Sequence, residues 1–524
     1  MARPDPLTVV PTPHRISDAG GTFVVPSILQ WVGDQRGFTA LRPFVRALED
    51  SGALTCVVKV DEQAGECLRI IDTGAEDEGY ELSVSGDGVS VTGGLRGLRH
   101  AAQTLLGLLP PGCLSPGSGE DAVLPCCDIT DRPALEWRGV MIDTARHFMP
   151  LSWLRKVVEI AAFHKLNVLH LHLTDDQGWR MPIDAFPRLT DVGGQRRETL
   201  VGQAPGTDYD GIAHGGWYSK DELRALVAYA DSYGITVVPE IDLPGHMVAA
   251  IAAYPQWGNA DEQLEVLTTW GISKDIINTR PETITALKVV LDEVMDVFPS
   301  QYIHLGGDEA PTRDWEDSCE VAALMEREGL ASPRAVQGWI MDQLVVHVRA
   351  GGRTVVAWDE AVDADISLET VIQGWRSPNQ VENAISRGYR TIASPQQHYY
   401  LDYQYSLEPG EPQGIGLRRG AHIDLERVLT YEVPGAAMGV ESPLWSEYVK
   451  SPQRASYQLL PRLAGVAEVA WRGGATTMEA FEMSARAQEE RYRALGWDHR
   501  PLDGPGPRWS TVPQAFDGVN HTGE

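Results

Sequence analysis

The feature that most constrains the fold is an alternation of short apolar runs with amphipathic stretches from residue 134 onward. Eight of the apolar runs have the length of buried strands, and stretches with helical spacing separate them. Such alternation predicts an α/β fold with a parallel sheet, because each helix returns the chain to the same edge. Polar or aromatic residues stand where the predicted strands end, near Asp143, Thr174, Glu240, Gly307, Trp358, Trp375, Ser394 and Glu441.

Eight strand–helix units predict a (β/α)8 barrel of the TIM type, which we place at residues 134–500. A doubly wound sheet is the alternative, but it would not usually place polar residues at the ends of so many strands. Two helix starts have the form of a capping box, Ser219–Glu222 and Thr279–Glu282. Because barrel enzymes carry their chemistry at the carboxyl ends of the strands, the functional residues are expected on that rim.

The first 133 residues have a different character, since only Trp31 of the 15 tryptophans lies there. Residues 80–91 alternate apolar and polar side chains around Gly86-Asp-Gly, which predicts a hairpin. A helix is predicted from Leu95 to Leu109 with one apolar face. We interpret residues 1–133 as a small α+β domain that precedes the barrel, and residues 501–524 as a C-terminal tail.

The net charge of the chain limits the classes of partner that it is expected to bind. The chain has 524 residues, with 44 basic against 73 acidic residues and a formal charge of −29. A surface this acidic repels phosphate backbones and anionic lipid, so neither nucleic acid nor a membrane is expected as a partner. No apolar run approaches the roughly 18 residues that a membrane span needs. A neutral or cationic substrate is more compatible with this acidic surface.

The N-terminus shows no apolar core segment followed by a small-residue cleavage site, so we see no secretory signal. The six cysteines, at positions 56, 67, 113, 126, 127 and 319, lack metal-ligand spacing. Reduced thiols in a cytoplasmic protein are the simplest interpretation. Secretion by another route stays open.

The segment Tyr302–Ala310 places two adjacent acids, Asp308 and Glu309, directly after a short apolar run and two glycines. Carboxylates at the mouth of a buried strand are costly unless they are paired or used. Aromatic and charged residues follow the other strands too, and an indole face beside carboxylates suits a neutral sugar ring. The candidate site residues are Arg146, Asp175, His246, Asp308, Glu309, Trp358, Trp375, Tyr400, Asp402, Trp445 and Glu447.

These motifs, in this order, resemble glycoside hydrolase family 20, the β-N-acetylhexosaminidases. The resemblance covers about residues 136–471, and the most specific motif is His304-Leu-Gly-Gly-Asp-Glu309. The first segment is similar to the small companion domain of that family. The resemblance implies exo-acting removal of terminal β-linked N-acetylglucosamine or N-acetylgalactosamine with retention. It also implies substrate-assisted catalysis through an oxazolinium intermediate, with neither cofactor nor metal.

The same resemblance assigns roles to the reacting groups. Glu309 is expected to be the general acid and then the base, while Asp308 orients and stabilises the substrate acetamido group. Tyr400 is expected to donate its hydroxyl to the acetamido oxygen. An Asp175–His246 relay to Glu309 is expected to tune its protonation. Walls of the pocket are expected from Trp358, Trp375 and Trp445.

The resemblance also implies which residues bind the sugar hydroxyls. Arg146 is expected at the C3 and C4 hydroxyls, and Asp402 with Glu447 at those on C4 and C6. Asp176 and Asp242 could instead serve as structural braces around the relay. One departure from the family pattern follows Tyr400, where residues 417–420 read Leu-Arg-Arg-Gly in place of a tryptophan on the leaving-group side.

Three alternatives remain at this point. A metal-dependent barrel hydrolase is suggested by His170-Leu-His172, which puts two imidazoles on one face of a strand. A non-catalytic glycan-binding protein could use the same pocket, but it would not need Glu309 with a relay. An enzyme that releases a disaccharide, like a lacto-N-biosidase, would need space beyond the C3 hydroxyl.

Overall fold

The computed structural model describes residues 8–60, 67–259, 263–416 and 421–506. The Leu417–Gly420 departure noted above lies outside these ranges, and so do residues 507–524 of the expected tail. Within the described ranges, no helix combines the length and the apolar character needed to cross a lipid bilayer. All six cysteines carry free thiols.

The N-terminal part forms a mixed seven-stranded sheet in the order β1-β7-β5-β6-β4-β2-β3. Its strands are β1 (Arg15–Val24), β2 (Ile28–Val32), β3 (Cys56–Lys59), β4 (Cys67–Asp72), β5 (Tyr80–Ser85), β6 (Gly88–Gly93) and β7 (Val123–Asp131). The predicted hairpin is confirmed, because β5 and β6 pair antiparallel around the turn at Gly86.

Helices cover this sheet. They are α1 (Gln35–Ala40), α2 (Arg42–Ser51) and α3 (Leu95–Leu108), followed by a 3-10 turn at Pro111–Leu114. The face predicted for α3 is the buried one, since Leu98, Ala102 and Leu105 have no exposed surface. Together these elements give the α+β architecture expected from the sequence.

The second part contains twelve strands. They are β8 (Trp137–Asp143), β9 (Val168–His172), β10 (Thr174–Asp175), β11 (Gly178–Trp179), β12 (Gln195–Arg196), β13 (His214–Gly215), β14 (Thr236–Glu240), β15 (Tyr302–His304), β16 (Thr354–Trp358), β17 (Val371–Gly374), β18 (Thr391–Ala393) and β19 (Gly439–Leu444). Eight of them close a parallel barrel in the order β8-β9-β14-β15-β16-β17-β18-β19, so the predicted fold is confirmed.

Helices surround the barrel. They are α4 (Leu151–Phe163), α5 (Arg188–Asp191), α6 (Lys220–Ser232), α7 (Val248–Ala253), α8 (Pro281–Val297), α9 (Arg313–Glu316), α10 (Cys319–Glu328), α11 (Pro333–Ala350), α12 (Glu360–Asp363), α13 (Pro378–Ser386), α14 (Gln396–Tyr399), α15 (Leu425–Leu429), α16 (Pro452–Leu459), α17 (Arg462–Arg472) and α18 (Met478–Ala494).

One of the two predicted capping boxes is present. The Ser219 hydroxyl accepts from the Glu222 amide, and the Glu222 carboxylate accepts from the Ser219 amide. The second prediction was wrong, since α8 has Arg280 at its N-cap with no side-chain capping bond. Pro281 occupies the first helical position there, so the N-cap is Arg280, one residue after the predicted Thr279.

A buried ion pair joins the sheet domain to the barrel. Lys165, in the turn after α4, places its Nζ 2.9 Å from Asp131 Oδ2 and 2.9 Å from the Tyr80 hydroxyl. The Trp471 indole donates to Asp131 Oδ1 at 2.8 Å. Lys165 and Asp131 are both almost completely buried, so each charge depends on the other for compensation.

Candidate active site

The backbone after β15 turns sharply at two glycines that directly precede the two adjacent acids. Gly306 and Gly307 have φ of 66° and 98°, and a Cβ at Gly306 would lie 1.6 Å from the Asp242 carboxylate. Glu309 also has a positive φ, 47°, which is strained for a residue with a side chain. As a result the Asp308 side chain is 10% exposed and that of Glu309 is 33% exposed.

Asp308 is a buried acid with an unsatisfied oxygen. Its Oδ1 has no hydrogen-bond partner among the described residues, and its Oδ2 lies 3.7 Å from His246 Nε2. Burial raises the pKa of this carboxyl to about 6; the neighbouring Glu309 also raises it, while His246 opposes them. An acceptor oxygen held free in this way is available for a substrate N–H group.

His246 stands between the two predicted members of the relay. Its Nδ1 lies 3.2 Å from Asp175 Oδ1, and its Nε2 lies 3.6 Å from Glu309 Oε2. Burial would lower the pKa of His246, but the Asp175 carboxylate outweighs burial and raises that pKa well above its usual value. The imidazole is therefore a cation at neutral pH, aimed at the carboxylate of Glu309.

The two residues weighed as braces hold backbone around this histidine. Asp176 accepts from the Val248 amide at 3.1 Å and also lies 3.5 Å from His246 Nδ1. Asp242 accepts from the Gly307 amide at 3.2 Å. Both contacts fit the bracing interpretation without displacing Asp175, which makes the shorter bond to His246.

Arg146 packs between the relay and an aromatic wall. Its Nη2 lies 2.7 Å from Asp175 Oδ2, and its Nε donates to Gln177 Oε1 at 3.1 Å. Its guanidinium carbon lies 4.8 Å from the centroid of the Trp445 ring. Some of the N–H donors of Arg146 are therefore already bonded to protein groups. The sequence did not predict its ion pair with Asp175.

Four aromatic rings form a continuous surface beside Asp308. Trp358 is fully buried and its ring centroid lies 5.8 Å from that of Trp445. Trp445 lies 6.2 Å from Tyr400, and Tyr400 stacks on Trp375 at 5.8 Å with an interplanar angle of 15°. Burial, together with the nearby Asp308, raises the pKa of Tyr400 well above its usual value, so its hydroxyl keeps a proton to donate.

Two further acids, Asp402 and Glu447, interact electrostatically with each other, and Glu447 also interacts with Arg146. Asp402 is 2% exposed, and neither of its carboxylate oxygens has a hydrogen-bond partner among the described residues. Burial first, and then the Glu447 charge, raise the pKa of Asp402 well above its usual value. Burial also raises the pKa of Glu447. Such unsatisfied acceptors match the hydroxyl groups of a polyol.

A layer of buried polar residues inside the barrel lies below the relay. In the strand register, Asp143 pairs with His172, while Glu240 pairs with both His172 and His304. Glu240 Oε2 lies 2.5 Å from His172 Nδ1, and His172 Nε2 lies 2.8 Å from Asp175 Oδ2. Glu240 Oε1 accepts from the Trp358 indole at 2.8 Å.

The His170-Leu-His172 pair does not have the geometry of an open metal site. His170 meets Glu441 through Nδ1 at 2.8 Å and Glu240 through Nε2 at 3.1 Å. Both nitrogens of His172 also face carboxylates, so these imidazoles act as cations that compensate buried acids. We assign no metal ligands, although four groups have ligand-type atoms within 4.8 Å of one another: His170, Glu240 and His304; His172, Glu240 and Asp242; Asp175, Asp176 and His246; Asp242, His246 and Asp308.

Sequence reasoning missed one acid at this rim. Glu360 accepts from the Trp375 indole at 2.8 Å. Burial raises the pKa of Glu360 well above its usual value, and the Asp308 charge adds to that rise. The available signal was its position in Trp358-Asp-Glu360, directly after β16.

Family comparisons agree with this architecture. Residues 135–474 match the model of the glycosyl hydrolase family 20 catalytic domain, and residues 7–132 match that of the family's domain 2. The chain belongs to glycosyl hydrolase family 20.

Curated family 20 relatives include a β-hexosaminidase of Vibrio furnissii, which is 36% identical over 408 residues. That alignment covers 75% of this chain and 65% of the relative. A β-hexosaminidase of Porphyromonas gingivalis is 31% identical over 489 residues, covering 89% of this chain and 60% of the relative. The chain therefore spans less than two thirds of the length of either relative.

Solved family 20 structures superpose over nearly the whole chain. The β-N-acetylhexosaminidase of Streptomyces coelicolor A3(2) has a TM-score of 0.83 at 28% identity, covering 96% of this chain and 100% of the other. The exo β-N-acetylglucosaminidase of Vibrio harveyi, solved with N-acetylglucosamine, has a TM-score of 0.82 at 27% identity. That match covers 94% of this chain and 78% of the other.

Proposed function

We propose that this chain is an exo-acting β-N-acetylhexosaminidase. It removes terminal, non-reducing, β-linked N-acetylglucosamine or N-acetylgalactosamine with retention of configuration. The observation that carries this proposal is Asp308, a buried carboxylate with a free oxygen beside a surface of four aromatic rings. That surrounding suits an acetamido group, which combines a methyl, an N–H donor and an acceptor oxygen.

The geometry favours the substrate itself as nucleophile. Retaining enzymes with their own nucleophile need two carboxyls about 5 Å apart, one on each side of the anomeric carbon. Asp308 and Glu309 are adjacent in the chain, and Asp308 is held inward by the turn at Gly306. Asp308 can then accept from the acetamido N–H and stabilise the positive charge that develops there. Tyr400 donates to the acetamido oxygen and aims it at the anomeric carbon.

In the first step the acetamido oxygen forms a bond to the anomeric carbon while the bond to the leaving oxygen breaks. Glu309 gives its proton to that leaving oxygen and becomes a carboxylate. The product is an oxazolinium ring bound to the enzyme. In the second step water attacks the same carbon, Glu309 takes the water proton, and the ring opens to restore the acetamide. Two inversions give retention.

The relay supports the change of role at Glu309. The His246 cation, 3.6 Å from Glu309, stabilises the carboxylate that forms when Glu309 has given up its proton. Asp175 holds the imidazole in this orientation through its bond to Nδ1. The unsatisfied oxygens of Asp402 support the expectation that this acid, with Glu447 and Arg146, binds the sugar hydroxyls.

Turnover of matched aryl glycosides tests this function. The enzyme should release the aryl group rapidly from the β-N-acetylglucosaminide and not from the β-glucoside, which lacks the acetamido group. Comparable rates on both would refute substrate assistance. Activity found only on an aryl β-lacto-N-bioside would instead identify a disaccharide-releasing enzyme, and loss of activity on chelation would support a metal-dependent hydrolase.

A further inference from the structure

Two buried residues, His172 and Glu240, connect the relay to Trp358, one of the four aromatic rings beside Asp308. Glu240 bonds His172 through Oε2 and the Trp358 indole through Oε1. His172 in turn bonds Asp175 at 2.8 Å. His172, Glu240 and Trp358 have no exposed surface, so these bonds are protected from competition with water.

We propose that His172 and Glu240 extend the relay into a chain, Glu240–His172–Asp175–His246–Glu309, in which His172 is a positioning residue. Together with Arg146, it holds Asp175 in place and keeps it ionised, so that Asp175 can support the His246 cation facing Glu309. This inference rests on the proposed function, because it concerns the acid and base work of Glu309.

The charge at His172 supports this role. Burial would lower the pKa of His172, but the Glu240 and Asp175 carboxylates outweigh burial and raise that pKa well above its usual value. An imidazolium with two flanking acids offers one N–H donor to each of them. Its charge also reaches Asp308, where it opposes the rise in pKa. The ionisable groups that face His172 or Asp175 are Glu240, Arg146, His246, Asp242, Asp308 and Glu447.

Two amide variants separate the two bonds of His172. The amide nitrogen of glutamine reaches the position of Nε2, so His172→Gln retains a donor toward Asp175 without the charge. The amide nitrogen of asparagine replaces Nδ1, so His172→Asn retains the donor toward Glu240 and leaves Asp175 Oδ2 with Arg146 alone. We expect kcat to fall about tenfold in the Gln variant and about 100-fold in the Asn variant. The reverse order would show that only the bond to Glu240 matters, and would overturn the proposal.

His170 supplies a matched control. It lies two residues away on β9 and is almost as deeply buried. It bonds Glu441 through Nδ1 at 2.8 Å, and its Nε2 lies 3.1 Å from Glu240. Among the described residues it forms no hydrogen bond or ion pair with Asp175. His170→Gln should lower the melting temperature as much as His172→Gln, because both substitutions remove a buried cation. It should leave kcat within about threefold of wild type. An equal loss of kcat in the two Gln variants would refute a specific role for His172.

Two kinetic measurements distinguish a positioning role of His172 from a nonspecific loss of structure in the variants. Removing the His172 charge should move the acidic limb of the kcat/KM profile upward by about 0.5 to 1 pH unit, because nearby carboxyls lose a stabilising cation. The defect of His172→Asn should shrink with a 2,4-dinitrophenyl leaving group, which needs no proton from Glu309. An unmoved limb, or an equal defect with phenyl and dinitrophenyl leaving groups, would overturn the proposal.

A measurement on the wild-type enzyme covers the case in which the variants do not fold. With 15N-labelled histidine, the His172 ring should remain doubly protonated across the pH range of activity, and loss of that proton within the range would contradict the proposal. Wild-type turnover of the aryl N-acetylglucosaminide is measured first. Its absence would count against the proposed function, whereas normal wild-type turnover with unaffected His172 variants would refute only the extended relay.

Discussion

Replacing Asp308 by asparagine should stabilise the fold at neutral pH while removing most of the activity. Asparagine keeps the shape of the side chain and carries no charge into the buried site. The stabilisation follows from the pKa of Asp308, which rises from 3.8 to about 6 in the folded protein, mainly because of burial. A folded state that holds its ionised carboxyl at a cost becomes less stable as the pH rises through this interval.

The magnitude follows from that interval. A shift of about 2 pH units corresponds to about 3 kcal/mol at 1.36 kcal/mol per unit. Between pH 3.8 and pH 6 the folded state binds more protons at Asp308 than the unfolded state, so wild-type stability falls across this window. Asparagine does not titrate, so the stability of the Asn variant does not fall in this way across the window. Its advantage should therefore be near zero at pH 4 and reach about 3 kcal/mol above pH 7.

Calorimetric melting across pH is the assay. For a chain of this length an advantage of about 3 kcal/mol corresponds to a rise of about 3 °C in melting temperature. Activity on the aryl N-acetylglucosaminide should fall by about 100- to 1000-fold, as when one preorganised electrostatic contact is removed. Glu309→Gln is the control, because its more exposed side chain gives a smaller change in stability. A destabilised Asn variant, or a gain that does not depend on pH, would refute the reasoning.

Three further substitutions test other parts of the molecule. Lys165→Met leaves Asp131 buried without its cation and should cost about 3 to 5 kcal/mol, read as a loss of melting temperature; a loss under about 1 kcal/mol would show that the domain contact does not depend on this pair. Trp375→Phe removes the donor to Glu360 and should lower kcat/KM about tenfold or more, whereas unchanged kinetics would mean that this bond does not orient the wall. Asp402→Asn should lower kcat/KM about 10- to 100-fold by weakening a bond to a sugar hydroxyl, and equal kinetics would place that hydroxyl elsewhere.

The barrel could be predicted because its signal is local. Each strand is a short apolar run, each helix has its own periodicity, and the rule that polar groups gather at strand ends placed Asp308, Trp358 and Tyr400 on one rim. The adjacent acids after two glycines also pointed to a turn, and both glycines do have positive φ.

Pairings between distant strands could not be predicted in the same way. The bonds from Glu240 to His172 and Trp358 depend on the register of β9, β14 and β16, which no local pattern specifies. The commitment of Arg146 to Asp175 has the same origin. The domain limits at residues 133 and 500, the catalytic and binding roles of the individual residues, and the cytoplasmic location stay predictions.

The central claim is that the substrate acetamido oxygen is the nucleophile, held by Asp308 and Tyr400. Fluorination of the N-acetyl group tests it most directly, because each fluorine makes that oxygen a weaker nucleophile while adding little volume. Rates are measured on aryl β-glucosaminides with N-acetyl, N-fluoroacetyl, N-difluoroacetyl and N-trifluoroacetyl groups. We expect kcat/KM to fall steeply along this series. A rate that does not change with fluorination would contradict the mechanism and require a nucleophile from the enzyme.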